Sequence, residues 1–283
     1  MGPRLLIIGA MKAGTSSLYE DLRAMRGFAF PAGKEPDDLL TDGVRTPEGR
    51  SIYAAKYGQL GPGIVGVDAS AQYTLRPHFG DVAGRALDVL GPDLRLVYVM
   101  RHPIARAISH HHFDVAMGWT TLRFEEGLAD NPYFIDGSRY AYQLEPWLEA
   151  FGRDRIMPIH FERYVTERQD TARRIAQFAD ADPTLEQAAP DRPAHRTSGL
   201  RRHHAIATRL RDSAAYRQVV RPLAPAGLRQ LASRMLSTPA PPRPDPPSPE
   251  ALRRLAEVLE PDQRRLRALL GPDAPTWDLS SLS

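Results

Sequence analysis

Cysteine is absent from this 283-residue chain, and lysine is nearly so, with Lys12, Lys34 and Lys56 the only lysines among 37 basic residues. The first absence excludes disulfides, thiolate nucleophiles and cysteine-ligated metal sites. The second draws attention to where the lysines stand. Lys12 and Lys34 fall in the stretches singled out below, a placement consistent with sites that want a compact ammonium rather than a planar guanidinium fork. No apolar run approaches the roughly 20 residues needed to span a bilayer. No opening segment has the charged, apolar and small-residue order of a signal peptide. The expectation is therefore a cytoplasmic protein without stable membrane insertion. No internal repeat is found, and 42% hydrophobic with 25% charged residues is ordinary for a globular chain. The net charge of +3 suits an anionic ligand, but it is too small to argue for nucleic acid.

The most informative stretch is Arg4 to Leu18. Leu5 to Ile8 reads as a buried parallel strand, broken at Gly9; the chain turns through Lys12 and Gly14 and restarts as a helix at Thr15. Strand, glycine loop and a helix start rich in hydroxyls form a place to hold an anion, because freed amides and the helix dipole both favour negative charge. A nucleotide-triphosphate loop of the G-x-x-x-x-G-K-[ST] type needs its lysine directly after the second glycine. Here Gly9 and Gly14 have that separation, but Thr15 occupies the lysine position and Lys12 lies inside the loop. The ATP reading weakens accordingly, and an anion of another kind on a nucleotide becomes the better candidate. The plain alternative is a glycine turn with a solvated lysine.

Downstream, strands and helices alternate. A helix is expected from about Ser16 to Met25, a short strand at Phe28 to Phe30, and a loop at Pro31 to Pro36. Residues 37–63 are polar and glycine-punctuated, with one helix at Ser51 to Tyr57 and the remainder read as a lid or substrate-facing loop. Strands follow at Ile64 to Asp68 and Leu94 to Met100, with a helix from about Phe79 to Leu90 between them. A further helix starts at Pro103, a residue suited to an early helical position. The second half is more helical: Arg139 to Phe151 and Glu167 to Ala179 flank a strand at Arg155 to Phe161. A basic stretch runs from Arg201 to Arg221, a proline-rich spacer covers about 239–249, and C-terminal helices cover 250–271 with a break at Pro261. Trp277 is expected to pack back onto the fold. This order predicts one α/β domain over 1–283, doubly wound around a central parallel sheet, with a helical C-terminal portion. Such sheets bind ligands beyond the C-terminal ends of their strands. Gly9 to Ser17, the loop after Phe30, Asp68 to Tyr73 and Arg101 to Ser109 all fall there.

Arg101 ends a central strand, and Ser109 follows about two helical turns later. Together they have the chemistry to clamp a phosphate, through a forked guanidinium contact and a directional hydroxyl. A surface ion pair and a helical serine bonded to its own backbone is the alternative.

With these residues in view the chain resembles the sulfotransferases that use 3′-phosphoadenosine 5′-phosphosulfate. Ile7-Ile8-Gly9-Ala10-Met11-Lys12-Ala13-Gly14-Thr15-Ser16-Ser17-Leu18 is similar to their 5′-phosphosulfate loop. Val99-Met100-Arg101-His102-Pro103-Ile104-Ala105-Arg106-Ala107-Ile108-Ser109-His110 is similar to their 3′-phosphate segment. Gly33-Lys34-Glu35-Pro36 and Gly66-Val67-Asp68-Ala69-Ser70-Ala71-Gln72-Tyr73 resemble the K-E-P loop and the G-E-x-S-P-x-Y segment of the carbohydrate and heparan-type branch. The likeness covers Leu5 to Gly118, and more weakly Phe161 to Tyr164 and Arg196 to Arg202. Asp68 replaces the usual Glu, Ala71 the usual Pro, and Ala69 a lysine found in some heparan-type members.

The resemblance implies a P-loop-like three-layer α/β/α fold and sulfuryl transfer from that donor to a hydroxyl or amine of a small-molecule or saccharide acceptor, with no metal. It implies Lys12 and Glu35 as catalytic residues, Glu35 taking the acceptor's proton. Lys12, Ala13, Gly14, Thr15, Ser16, Ser17, Arg101, Ser109 and Arg201 would hold the donor. Lys34, Asp68, Ser70, Tyr73 and His110 would line the acceptor side. His110, His111 and His112 are rival bases, of which helical geometry allows at most one to face the site. Tyr53, Tyr57, Trp119, Phe134, Tyr140 and Trp147 are candidates to shape the acceptor pocket, with core packing as their other use. The competing functions are a P-loop kinase or nucleotide hydrolase and a non-catalytic polyanion-binding module.

Overall fold

Leu5, Leu6, Ile7 and Ile8 have no solvent exposure. A strand whose side chains are apolar on both faces has to be covered on both, so it takes the centre of a parallel sheet. In the computed structural model, which describes residues 2–182, 201–203, 237–239 and 242–282, this segment is β1 (Leu5–Gly9). It pairs in parallel with β3 (Val65–Asp68) on one side and β4 (Arg95–Met100) on the other. β2 (Phe28–Ala29) and β5 (Ile156–His160) complete a five-stranded sheet of order β2-β3-β1-β4-β5, every pair parallel. Helices cover it: α1 (Thr15–Arg23), α3 (Val82–Leu90), α4 (Pro103–Met117), α7 (Tyr140–Phe151), α9 (Arg168–Phe178) and α10 (Pro249–Leu270). α1 packs with α9, and α7 with α3 and α10, giving the two helical layers. The expected α/β architecture is the one observed. Because the chain leaves β1 toward one side of the sheet and β4 toward the other, a crevice opens beyond these two strands' ends.

Residues 37–63 depart from the expected lid. Leu39, Val44, Tyr53 and Tyr57 are buried in the core. Arg85 of α3 donates to the carbonyls of Leu39 (2.6 Å) and Leu40 (3.2 Å), and Arg45 pairs with Asp42, Asp81 and Asp88. The segment's helix, α2, is Pro47–Ala55 rather than Ser51 to Tyr57, because the Thr46 side chain caps it and Pro47 supplies the first turn. Between α4 and α7 the chain forms α5 (Phe124–Asp130) and α6 (Tyr133–Asp136). α8 (Phe161–Tyr164) follows β5 directly.

α10 runs through Pro261 without the expected break. Pro261 is exposed, so water can satisfy the carbonyl it deprives of a partner, while Leu255, Leu259, Leu266 and Leu270 are buried on the opposite face. The next residue explains the anchoring. Asp262 reaches across to α7, and its two oxygens accept from the amides of Ala141 and Tyr142, both at 3.0 Å. One helix thereby caps the open N-terminus of another. Trp277 does return to the fold: it stacks on His160 at 5.0 Å and donates to Glu162 at 3.1 Å. Residues 242–248 have no regular structure, and the Ser248 amide ties them to Glu125 at 2.7 Å before α10 begins. β6 (Arg201–His203) pairs antiparallel with β7 (Ser237–Pro239); most of the basic stretch to Arg221 lies outside the described residues. No described helix is long and apolar enough to cross a membrane.

Replacing Asp262 with Ala strips the cap from α7 and leaves two amides without their buried acceptor. The expected loss is about 2 kcal/mol of stability, measured by denaturant unfolding.

Candidate active site

The β1–α1 loop is shaped by two close approaches. A Cβ on Gly9 (φ +154°) would lie 2.0 Å from the Thr74 hydroxyl oxygen, which itself donates to the Ile8 carbonyl at 2.9 Å. A Cβ on Gly14 (φ +93°) would lie 2.6 Å from the Phe161 ring. Gly14 is the residue before α1, which has no side-chain cap and no acid in its first turn. The helix start, with Thr15, Ser16 and Ser17 upon it, is left open to an anion. Lys12, also left-handed at φ 68°, lays its ammonium over the Phe113 ring, 4.1 Å from the centroid. Burial, and next the charge of Arg101, push its pKa down to about 8; Lys34 and Arg106 act in the same sense, and Asp114 opposes them.

Arg101 is fixed through its backbone. The Tyr140 hydroxyl donates to its carbonyl at 2.7 Å and accepts from its amide at 3.2 Å, and the next amide, of His102, donates to Glu162 at 2.8 Å. The guanidinium lies over Phe161, 5.1 Å from the centroid, and its burial lowers its pKa. Phe161 thus touches both phosphate-type motifs, Gly14 on one side and Arg101 on the other. Ser109 is half-buried farther along α4. Arg201 begins β6, but its side chain, like all of Arg196, lies outside the described residues. Among the described residues neither Lys12 nor Arg101 has an ion-pair partner. Two half-buried cations without ion-pair partners, one in the loop before α1 and one at the end of β4, fit a ligand that carries negative charge at two places.

The loop after β2 brings Lys34 to Glu35, 2.6 Å apart. Glu35 and Asp37 both take left-handed backbone conformations, φ 60° and 57°. Beneath them Asp68 is wholly buried and accepts from Tyr53 (2.5 Å), Ser70 (2.7 Å) and Tyr73 (2.7 Å). Burial pushes its pKa up to about 6 against these three hydrogen bonds. Ser70 also accepts from the Asp37 amide at 3.2 Å. Asp68, Ser70 and Tyr73 therefore support the loop that carries Glu35 and Asp37 from below; none is exposed to the crevice. Tyr53 belongs to this support, Tyr57 and Trp147 are core residues, and Tyr140 holds Arg101.

A cavity of about 460 Å³ opens beside Lys12, lined among others by Met11, Gln72, His110, Asp114, Trp119 and Tyr133. Of the three histidines only His110 lines it; His111 is buried against the Leu122 carbonyl at 2.9 Å, and His112 is half-buried. Burial, then Arg106 and Lys12, push the His110 pKa down to about 2, which makes it a poor acceptor of protons at neutral pH. A larger cavity, about 760 Å³, lies around β5, Arg163 and Pro272 and includes no residue of the Lys12 loop. Among the described residues no cluster of acids and histidines is placed to hold a metal ion.

Arg106 and Asp114 escaped the reading from sequence. Arg106 is fully buried; its guanidinium donates to Ser138 (2.6 Å), the Phe134 carbonyl (2.6 Å) and the Met11 carbonyl (3.3 Å), so it holds the residue next to Lys12. The signal was present as a four-residue spacing. His102, Arg106, His110 and Asp114 form one stripe along α4, all buried.

Comparison with known proteins agrees with this geometry. The model of the sulfotransferase domain matches residues 2–198. The chain belongs to the sulfotransferase family. The human heparan sulfate glucosamine 3-O-sulfotransferase 6 is 26% identical over 187 residues, 62% of this chain and 52% of that protein. The mouse heparan sulfate glucosamine 3-O-sulfotransferase 3B1 is 27% identical over 188 residues, 62% of this chain and 45% of its own length. The chain thus spans about half the length of these curated relatives. A sulfotransferase structure from Alicyclobacillus acidocaldarius superposes over 95% of this chain and 96% of that one, with a TM-score of 0.67 at 21% identity, and so shares the fold.

Gly14 gives this sulfotransferase a direct structural test. Gly14→Ala forces a Cβ into the Phe161 ring and a side chain into a left-handed conformation. The expected cost is about 1–3 kcal/mol of stability, read by denaturant unfolding.

Proposed function

We propose that this chain, as a single catalytic unit over residues 1–283 and in the cytoplasm, moves a sulfuryl group from 3′-phosphoadenosine 5′-phosphosulfate to a hydroxyl or amine of a small-molecule or saccharide acceptor. The observation that carries the reading is a pair of half-buried cations with no ion-pair partner among the described residues. Lys12 lies over Phe113 in the loop before α1, and Arg101 lies over Phe161, the ring that also meets Gly14 at the open start of α1. When bound, the donor supplies a sulfuryl group on a phosphate leaving group. Lys12 then neutralises charge developing on the leaving oxygen, with the amides and hydroxyls of Ala13, Gly14, Thr15, Ser16 and Ser17 around it. Arg101, with Ser109 and Arg201, grips the 3′-phosphate, the group that separates this donor from ATP. Glu35 takes the acceptor's proton as its oxygen or nitrogen bonds to sulfur and the sulfur–oxygen bond to the phosphate breaks. One Glu35 oxygen accepts from Lys34, and the other has no protein donor among the described residues. The names of the curated relatives give heparan sulfate glucosamine as their acceptor, which supports a saccharide as one option here.

Glu35→Gln is expected to lower kcat by about 10²- to 10⁴-fold while 3′-phosphoadenosine 5′-phosphate still stabilises the protein in a thermal-shift assay. Retained turnover would remove Glu35 from the role of base. Arg101→Ala is expected to weaken that nucleotide roughly 10- to 100-fold, since a hydrogen bond to a charged group contributes about 1.5–3 kcal/mol. Stabilisation by ATP with magnesium, and none by 3′-phosphoadenosine 5′-phosphate, would overturn the donor assignment.

The lowered pKa of Lys12 sets a pH dependence. The free protein carries the ammonium below about pH 8 and loses it above. Affinity for 3′-phosphoadenosine 5′-phosphate is therefore expected to stay flat from pH 6.5 to 7.5 and to fall as pH rises past 8. In Lys12→Ala that fall disappears, and calorimetry across the range measures both.

A further inference from the structure

The cavity beside Lys12 has an unusual charge for a protein whose curated relatives are named for a sulfated glycan. Among its described lining residues are two acids, Asp114 and Asp130, and no lysine or arginine. His110 is held neutral, and His78, the other histidine in the lining, stacks on Tyr133 at 3.5 Å with Asp136 3.8 Å from its Nε2. The cations of the site, Lys12 and Arg101, belong to the donor side. A 3′-phosphate and a 5′-phosphosulfate would neutralise that side, the 3′-phosphate monoester alone bringing about −1.5 to −2 charges. With the donor in place, the cavity lining has no described positive side chain to offset a polyanion, and Lys34, outside it, is already paired with Glu35 at 2.6 Å; like charges brought together disfavour association.

One oxygen of Asp114 also lacks a hydrogen-bond donor. The residue is 5% exposed, one oxygen accepts from Asn131 Nδ2 at 3.3 Å, and the other, Oδ1, has no hydrogen-bond donor although it is buried. His110 Nε2 stands 3.7 Å from it, too far for a hydrogen bond. A buried carboxylate oxygen without a donor, lining a cavity, is complementary to a ligand N–H or O–H. The same cavity offers a flat apolar surface: Trp119 is 66% exposed against the edge of Phe113, and Tyr133 and Phe134 form a wall. Aromatic faces and an acid together suit a compact ring or chain that is uncharged or positively charged.

We propose that this cavity is the acceptor site and that it takes a compact acceptor that is uncharged or bears an ammonium group, with Asp114 as the hydrogen-bond and charge partner, and not a polyanionic glycan. The assignment rests on the sulfuryl-transfer reading above and narrows its acceptor.

Three phenols of nearly equal shape test it: tyramine, 2-(4-hydroxyphenyl)ethanol and 4-hydroxyphenylacetate, which are cationic, neutral and anionic at pH 7.5. Binding to the full chain is followed by tryptophan fluorescence, with and without 3′-phosphoadenosine 5′-phosphate, whose own binding is recorded separately by thermal shift. The amine and the alcohol are expected to bind at least about tenfold more tightly than the acid, and the gap is expected to widen when the nucleotide is present. Asp114→Asn should reduce the amine-to-acid ratio to within about threefold, in a variant that 3′-phosphoadenosine 5′-phosphate still stabilises. Asp130→Asn, at the exposed rim, should reduce it less. Equal binding of acid and amine, binding of none of the three, or an undiminished ratio in Asp114→Asn overturns the proposal. So does tighter binding of a heparan sulfate oligosaccharide than of the amine at 150 mM salt. Failure of the nucleotide to stabilise the protein would instead count against the donor assignment, since phenol discrimination is also read without it.

Discussion

Burying positive charge without a negative partner is the constraint from which the rest of this site follows. Lys12, Lys34, Arg101 and Arg106 stand close enough for the last three to lower the proton affinity of the first. Desolvation and mutual repulsion both oppose such a group, so the fold has to hold it. Arg106 is satisfied by carbonyls and a hydroxyl rather than by an acid, and one of those carbonyls belongs to Met11. Lys12 rests on an aromatic face, and Tyr140 clamps the Arg101 backbone. In each case the cation is positioned without being neutralised, and its charge stays available to a ligand.

The acids around the site complement this arrangement. Asp37, Asp68 and Asp114 all have pKa values pushed up to about 6, with burial the largest cause for each. They differ in what surrounds them. Asp68 receives three hydroxyl donors and serves as a support, whereas Asp114 leaves an oxygen unsatisfied in a cavity. Phe161 links the loop before α1 to the end of β4, because Gly14 has no Cβ to keep the ring away and Arg101 lies across it.

The elements whose character is set by local pattern were legible in the chain. The apolar run Leu5 to Ile8, the glycine loop after it, the strand ending at Arg101 and the helix beginning at Pro103 appear as read, because burial on both faces and turn chemistry are written into consecutive residues. Residues 37–63 were not legible. Their polarity resembles a loop's, but Arg45 and Arg85 bind that polarity to α3, and distant partners do not register in local composition. Pro261 misled for a similar reason: the helix end it signals is overridden by the leucines of α10 and the hold of Asp262 on α7.

Lys12, Gly14 and Arg101 were singled out from sequence because the strand-loop-helix pattern around them is written in short-range spacing, and spacing survives in one dimension. The support role of Asp68, Ser70 and Tyr73, the neutrality of His110 and the part played by Arg106 and Asp114 belong to the tertiary structure alone. Each depends on burial and on which carbonyl, hydroxyl or charge lies opposite, and those partners come from strands and helices far apart in the chain. By itself the sequence determined that a glycine loop carrying Lys12 joins β1 to α1; the tertiary structure decided which charges are left unpaired around it, because only packing removes water from a charged group.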